Sequence, residues 1–147
     1  MTIRKTKNIF IAGAISPSFI SECISNHSEK LGIGGHSIFL GQVRADSFDG
    51  DRVEAIEYTA YNELALAQMD LIREETFARY PLTCMHVYQS IGTVKAGEIC
   101  LFVFTSSAHR AAAISACQRV VERFKAEVAV WGKEVFNDGS HLWKKNT

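Results

Sequence analysis

The spacing of hydrophobic and polar positions changes several times along this chain, and each change predicts an element. Residues 8–14, Asn-Ile-Phe-Ile-Ala-Gly-Ala, predict a first strand. Ser16-Pro17 predicts a helix start, with serine as N-cap and proline at the first helical position. That helix is expected to reach about Lys30, with Phe19, Ile20, Cys23 and Ile24 on one face, before Gly32, Gly34 and Gly35 break it. His36 to Val43 predicts a strand, Asp49-Gly50-Asp51 a turn, and Val53 to Tyr58 a weakly alternating strand. Together they suggest a hairpin whose loop is Arg44–Arg52.

Asn62 is expected to cap a long helix running to about Tyr80, with Leu64, Ala67, Leu71, Thr76 and Phe77 near one stripe and Pro81 closing it. Leu82–Ser90 and Glu98–Ser106 predict two strands joined through Gly92 and Gly97. The second is continuously apolar and should be central in its sheet. Ser107 should cap a helix over Ala108–Lys125, whose apolar stripe is Ala113, Ile114, Cys117, Val120, Val121 and Phe124. Val128–Trp131 predicts a short buried strand, with Lys125 before it and Lys133 after it, and Asn137–Ser140 predicts a turn. Hairpins mixed among helices predict an α+β fold with a mostly antiparallel sheet and packed helices. At 147 residues, one domain with one core is expected.

Composition narrows the chemistry. Sixteen basic and sixteen acidic residues cancel, so nothing in the charge balance calls for a nucleic-acid or membrane partner, and any anion site must be local. The apolar run Ile9–Ile15 is too short for a membrane span and lacks a signal-peptide layout, so a cytoplasmic location is the default expectation. Cys23, Cys84, Cys100 and Cys117 form no Cys-x-x-Cys pair and read as reduced core residues. His27, His36, His86 and His141 show no metal-ligand spacing, and no serine or cysteine nucleophile motif is present. No metal and no cofactor are therefore expected. Lysine, arginine and histidine are left as the tools of an enzyme acting on an anionic substrate by electrostatic and acid–base catalysis.

His109 and Arg110 fall in the first turn of the predicted helix, where cations meet the positive end of the macrodipole unless an anion compensates. They read either as a phosphate or carboxylate site or as a structural histidine beside a surface arginine. Arg44 reads as an anion clamp at a strand end or as a solvated loop residue. Lys125 and Lys133 read as held amines or as surface lysines bracketing a core strand. Glu134 should face away from Lys133 if both lie in a strand. Arg110 and Lys125, fifteen positions apart on one helix, should be separated by about 22 Å. Either they serve different sites, or a symmetric dimer brings them together across protomers.

Several segments occur in an order that resembles the large, catalytic subunit of molybdopterin synthase. They are Phe39-Leu40-Gly41-Gln42-Val43-Arg44, Glu57-Tyr58-Thr59-Ala60-Tyr61, Ile91-Gly92 with Gly97-Glu98, Ser107-Ala108-His109-Arg110, and Lys125 through Trp131-Gly132-Lys133-Glu134. The resemblance covers roughly residues 35–145 and implies an α/β hammerhead fold. It also implies a homodimer forming the core of a heterotetramer. A small ubiquitin-like sulfur-carrier subunit would dock at each end and insert a Gly-Gly tail ending in a thiocarboxylate. The implied reaction moves two sulfurs onto cyclic pyranopterin monophosphate, giving the dithiolene molybdopterin.

Carried over residue by residue, the resemblance puts anion binding on Arg44, His109 and Arg110 and the essential amine on Lys125. Gln42 and Glu134 are expected beside the substrate. Burial near other cations would lower the pKa of the Lys125 amine and suit acid–base work. The residues Lys145-Asn146-Thr147 carry no Gly-Gly end, so the chain is expected to borrow its sulfur. Two positions depart from the family pattern. Gly132 stands where the family often has an active-site lysine, and Gln89-Ser90 stands where it often has His-Arg. Lys133 is expected to turn into the place left by Gly132, as a second catalytic lysine. The rival reading is a non-catalytic dimeric scaffold that binds the small subunit or a phosphate ester.

Overall fold

A computed structural model describes residues 8–144. The expectation of a borrowed sulfur rests on residues 145–147, which lie outside the described residues. Eight strands and three helices follow one another as β1 (Phe10–Ala12), α1 (Pro17–Ser25), β2 (Gly35–Gln42), β3 (Ser47–Phe48), β4 (Asp51–Ala60), α2 (Asn62–Arg79), β5 (Leu82–Lys95), β6 (Ile99–Ser107), α3 (Arg110–Glu127), β7 (Val130–Phe136) and β8 (His141–Trp143). The sheet order is β2-β6-β5-β4-β7-β8, with β1 and β3 added beside β5 and β4. Among the described residues only the β1–β5 pairing is parallel, so the expected mostly antiparallel α+β architecture holds.

β5 ties the sheet together. Its first half, Leu82–Gln89, pairs with β6, while Gly92–Lys95 pairs with β4. The strand changes partner at Gly92, whose φ of 90° is open to glycine at little cost. β6 is central, as its unbroken apolar run predicts, because both of its faces are covered. Leu101 and Val103 join the main core with α2 and α3, while Phe102 and Phe104 pack with Ile15 and Ile20 around α1. Ser16 caps α1 as expected, its Oγ accepting from Phe19 N over 3.1 Å.

Several expectations are corrected by long-range pairing. β2 and β4 form no hairpin: β2 pairs with β6, and β4 with β5 and β7. The Asp49-Gly50 turn closes only the short β3–β4 ribbon, with φ of 50° and 87° at its two residues. α1 stops at Ser25 rather than near Lys30. In α2 the buried residues are Ala65, Met69, Ile72 and Thr76, and Leu64, Leu71 and Phe77 are exposed. The helix carries two apolar stripes, and periodicity alone does not say which one meets the sheet. Tyr61, not Asn62, occupies the N-cap position. α3 begins at Arg110 with His109 as N-cap; Ser107 ends β6 but its Oγ still accepts from Ala113 N over 3.0 Å. Ala116 is buried in α3 and Ile114 is exposed. β7 starts later than expected and takes in Lys133 and Glu134.

None of the four cysteines forms a disulfide, and Cys84, Cys100 and Cys117 are buried. Among the described residues, no helix is long and apolar enough to cross a membrane.

Candidate active site

A small cavity of about 80 Å³ opens where the two halves of the sheet part. Gly41, Gln42, Gln89, Cys100 and Leu101 line it from one half, and Tyr58, Val130 and Gly132 from the other. Phe124, Lys125 and Val128, at the end of α3, form a further wall, and Lys144 completes it. Among the described lining residues two are cationic and none is acidic. Such a lining favours an anion over a cation.

Lys125 occupies the last turn of α3, where the carbonyl ends of the helix favour a cation. The link from α3 to β7 is pinned on both sides. Ala129 N donates to Gln68 Oε1 over 2.8 Å, and Tyr61 N donates to Ala129 O over 3.0 Å. The Lys125 backbone is thus held by scaffold, as expected, although the residue is exposed rather than buried.

Lys144 reaches the cavity from the far edge. β8 pairs with β7 so that Trp143 lies opposite Lys133 and Leu142 opposite Glu134. The next residue, Lys144, donates its backbone N–H to Gly132 O over 2.8 Å. Strand alternation then puts the Lys144 side chain on the face of Gly132 and Glu134. At Gly132 neighbouring side chains close over that face. A Cβ there would stand 2.9 Å from Ile56 Cγ2 and 3.2 Å from Tyr58 Cε1, so the position has no room for a side chain without movement.

Tyr58 and Cys100 form the polar floor. Burial, then the Cys100 thiol and the Glu134 charge, push the Tyr58 phenol well above its ordinary range. It stays protonated and can donate to a bound group. Cys100 Sγ donates to Gly41 O over 3.4 Å. Gln89 is buried, its Nε2 donating to Ser90 O over 3.0 Å.

The expected site residues divide sharply. Lys125 and Gln42 line the cavity. Lys133 does not. Gly132 keeps ordinary strand dihedrals, so alternation sends Lys133 to the opposite face, with Nζ 3.9 Å from Glu57 Oε2 and 5.8 Å from the Trp143 ring centre. Glu134 faces away from Lys133 as expected, but it is buried behind Tyr58 and is absent from the cavity lining. Arg44 is exposed and pairs with Asp46 at 3.2 Å, outside the cavity. His109 and Arg110 are exposed at the other end of α3, about 22 Å from Lys125 by helical rise. That end rests on two glycines: a Cβ at Gly34 would fall 2.0 Å from Ala108 O, and one at Gly35 3.5 Å from Arg110 Cα.

Tyr58, Cys100 and Lys144 were not singled out by pattern, and Gln89 was noted only as a departure from the family. The Lys144 signal is absent from local sequence, because only the β7–β8 register brings it to Gly132.

Comparison with known proteins adds a second line of evidence. The family model described as MoaE protein matches residues 14–127. A molybdopterin synthase catalytic subunit of Oryza sativa subsp. indica is 40% identical over 121 residues, covering 82% of this chain and 62% of the relative. One from Pyrococcus abyssi is 39% identical over 106 residues, covering 72% and 71%. The chain thus spans less than two-thirds of the rice relative's length. Among solved structures, molybdopterin synthase from Staphylococcus aureus superposes with a TM-score of 0.81 at 26% identity, covering 92% of this chain and 95% of that one. A complex of subunits 1 and 2 of molybdopterin-converting factor from Helicobacter pylori superposes with a TM-score of 0.78 at 16% identity, covering 92% and 88%, a likeness of fold. The family match includes Lys125 and stops short of Gly132 and Lys144.

Proposed function

This chain belongs to the MoaE protein family, and from that premise we propose that it is the catalytic subunit of a molybdopterin synthase. In this reading it transfers sulfur from the thiocarboxylated Gly-Gly end of a small ubiquitin-like subunit to cyclic pyranopterin monophosphate, giving dithiolene molybdopterin. The observation that carries the reading is the cavity between Lys125 and Lys144. The cavity is narrow, about 80 Å³, which suits the end of a glycine tail. Two amines and no carboxylate line it among the described residues, which matches an anionic thiocarboxylate.

The chemistry follows from that placement. The tail sulfur bonds to a substrate carbon as a carbon–oxygen bond at that carbon breaks and its oxygen leaves with a proton, and water then cleaves the acyl–sulfur bond. Sulfur stays on the substrate and a carboxylate stays on the tail. Lys125 neutralises the incoming anion and moves the proton during these steps. Lys144 is the second amine, taking the part that sequence pattern assigned to Lys133. Gln42 orients the tail at the cavity mouth, and Glu134 acts through Tyr58.

The substrate phosphate needs other cations. Arg44, His109 and Arg110 serve it, and the helix N-terminus at His109-Arg110 favours an anion. Because these residues lie at the far end of α3 from Lys125, a complete site is formed across a homodimer, with one small subunit docked at each end. Gly132 favours the rival reading of a non-catalytic scaffold, and the Lys144 amine answers that objection.

The test combines the purified chain with thiocarboxylated small subunit and precursor. Dithiolene product is expected, and Lys125→Ala should reduce its formation by about 100-fold or more. Small-subunit binding with no product above background would leave the scaffold reading instead.

A further inference from the structure

A second group of chemically capable side chains lies away from the cavity, where the end of α1 meets β5. His27 follows the α1 C-cap residue Asn26. Cys84 and His86 are two residues apart on β5 and so share a face. One potential ligand atom from each of the three lies within 4.8 Å of the others. His27 Nε2 and His86 Nε2 are 3.1 Å apart. Two nitrogens bound tetrahedrally to one ion at about 2.0–2.1 Å would stand about 3.3 Å apart, so little movement is needed.

The orientation of His27 is fixed from behind. Its Nδ1 lies 2.7 Å from Cys23 O. A carbonyl only accepts, so Nδ1 carries the proton and the neutral ring has its lone pair on Nε2, facing His86. A backbone carbonyl behind the imidazole is the usual means of aiming a metal-binding histidine. His27 and Cys84 are buried, and the Phe104 ring centre, 4.9 Å from that of His27, forms an apolar wall.

We propose that His27, Cys84 and His86 form a site for a borderline-soft divalent ion of the Zn²⁺ type, with water completing a tetrahedron. Two imidazoles and a thiolate suit zinc and disfavour magnesium or calcium. Lys30 Nζ, which donates to Cys84 Sγ over 3.0 Å, gives way to the ion and returns to solvent, where its residue already lies. The histidines are 59 positions apart in sequence. Metal binding therefore clamps α1 to the sheet and stabilises the folded chain. The ligand-spacing test that predicted no metal could not see this pair, because only folding brings it together.

The experiment uses the full chain, dialysed against chelator and then titrated with Zn²⁺ or Co²⁺. A single equivalent should bind, zinc should raise Tm above that of the chelated chain, and the cobalt form should show a near-ultraviolet thiolate-to-metal band. Cys84→Ser, which preserves size, should abolish that band, and His86→Gln should weaken binding at least 10-fold. An unchanged Tm with no cobalt band overturns the site, and so does a band that survives Cys84→Ser. The wild-type titration decides the matter even if a histidine variant fails to fold. Turnover of the proposed sulfur transfer is not a readout, so failure here leaves that reading untouched.

Discussion

The two ends of α3 carry the chain's most suggestive cations in opposite physical settings. At the C-terminal end, Lys125 meets the negative pole of the helix, lines a walled cavity and shares it with Lys144. At the N-terminal end, His109 and Arg110 stand exposed at the positive pole, outside that cavity. One end presents an amine to a narrow guest. On the proposed reading the other offers its positive pole to the substrate phosphate. On that reading the difference makes α3 a spacer between two half-sites, each completed by a second chain.

The sharpest way to break this comparison is at the C-terminal end. Lys125→Ala should lower turnover by about 100-fold or more while leaving small-subunit affinity nearly unchanged. Equal losses in both would make Lys125 a docking residue. At the N-terminal end, a His109→Ala, Arg110→Ala double variant should lower kcat/KM for the precursor by about 10-fold or more, mainly through KM, as expected for lost charge-assisted hydrogen bonds. Tail binding should not change, and isothermal titration with the small subunit checks this. Lys144→Ala should weaken binding of a Gly-Gly thiocarboxylate tail by about 10-fold at low salt and less at high salt. Lys133→Ala should do neither, since its amine faces Glu57.

Stability gives a weaker contrast. Gly34→Ala drives a Cβ into the Ala108 carbonyl, whereas Gly132→Ala meets side-chain atoms that can shift. Both should destabilise by about 1–3 kcal/mol in denaturant titration, with Gly34→Ala the larger. Breaking the exposed Arg44–Asp46 pair with Asp46→Ala should cost no more than about 1 kcal/mol.

The sequence made one half of this picture legible and hid the other. β6 was readable because burial on both faces leaves an unbroken apolar run, and the start of α1 because Ser16-Pro17 is a local signal. Most of the α3 stripe was readable for the same local reason, whereas local pattern left Lys125 open between a held amine and a surface lysine. The partners of β2 and β4 were not, because pairing spans distant segments that no local pattern encodes. Lys144 escaped notice for that reason, and Lys133 was credited with its place. The alternation rule that separated Lys133 from Glu134 also argued against Lys133, once β7 was known to run through Gly132 without a twist.

The most direct test of the spacer account mixes two impaired chains. Lys125→Ala protomers and His109→Ala, Arg110→Ala protomers are combined, mixed dimers are verified by mass, and dithiolene formation is followed at limiting precursor. The account predicts that activity returns, because each mixed dimer holds one intact site. Verified mixed dimers no more active than the better parent would contradict it, and the two ends of α3 would then not meet in one reaction.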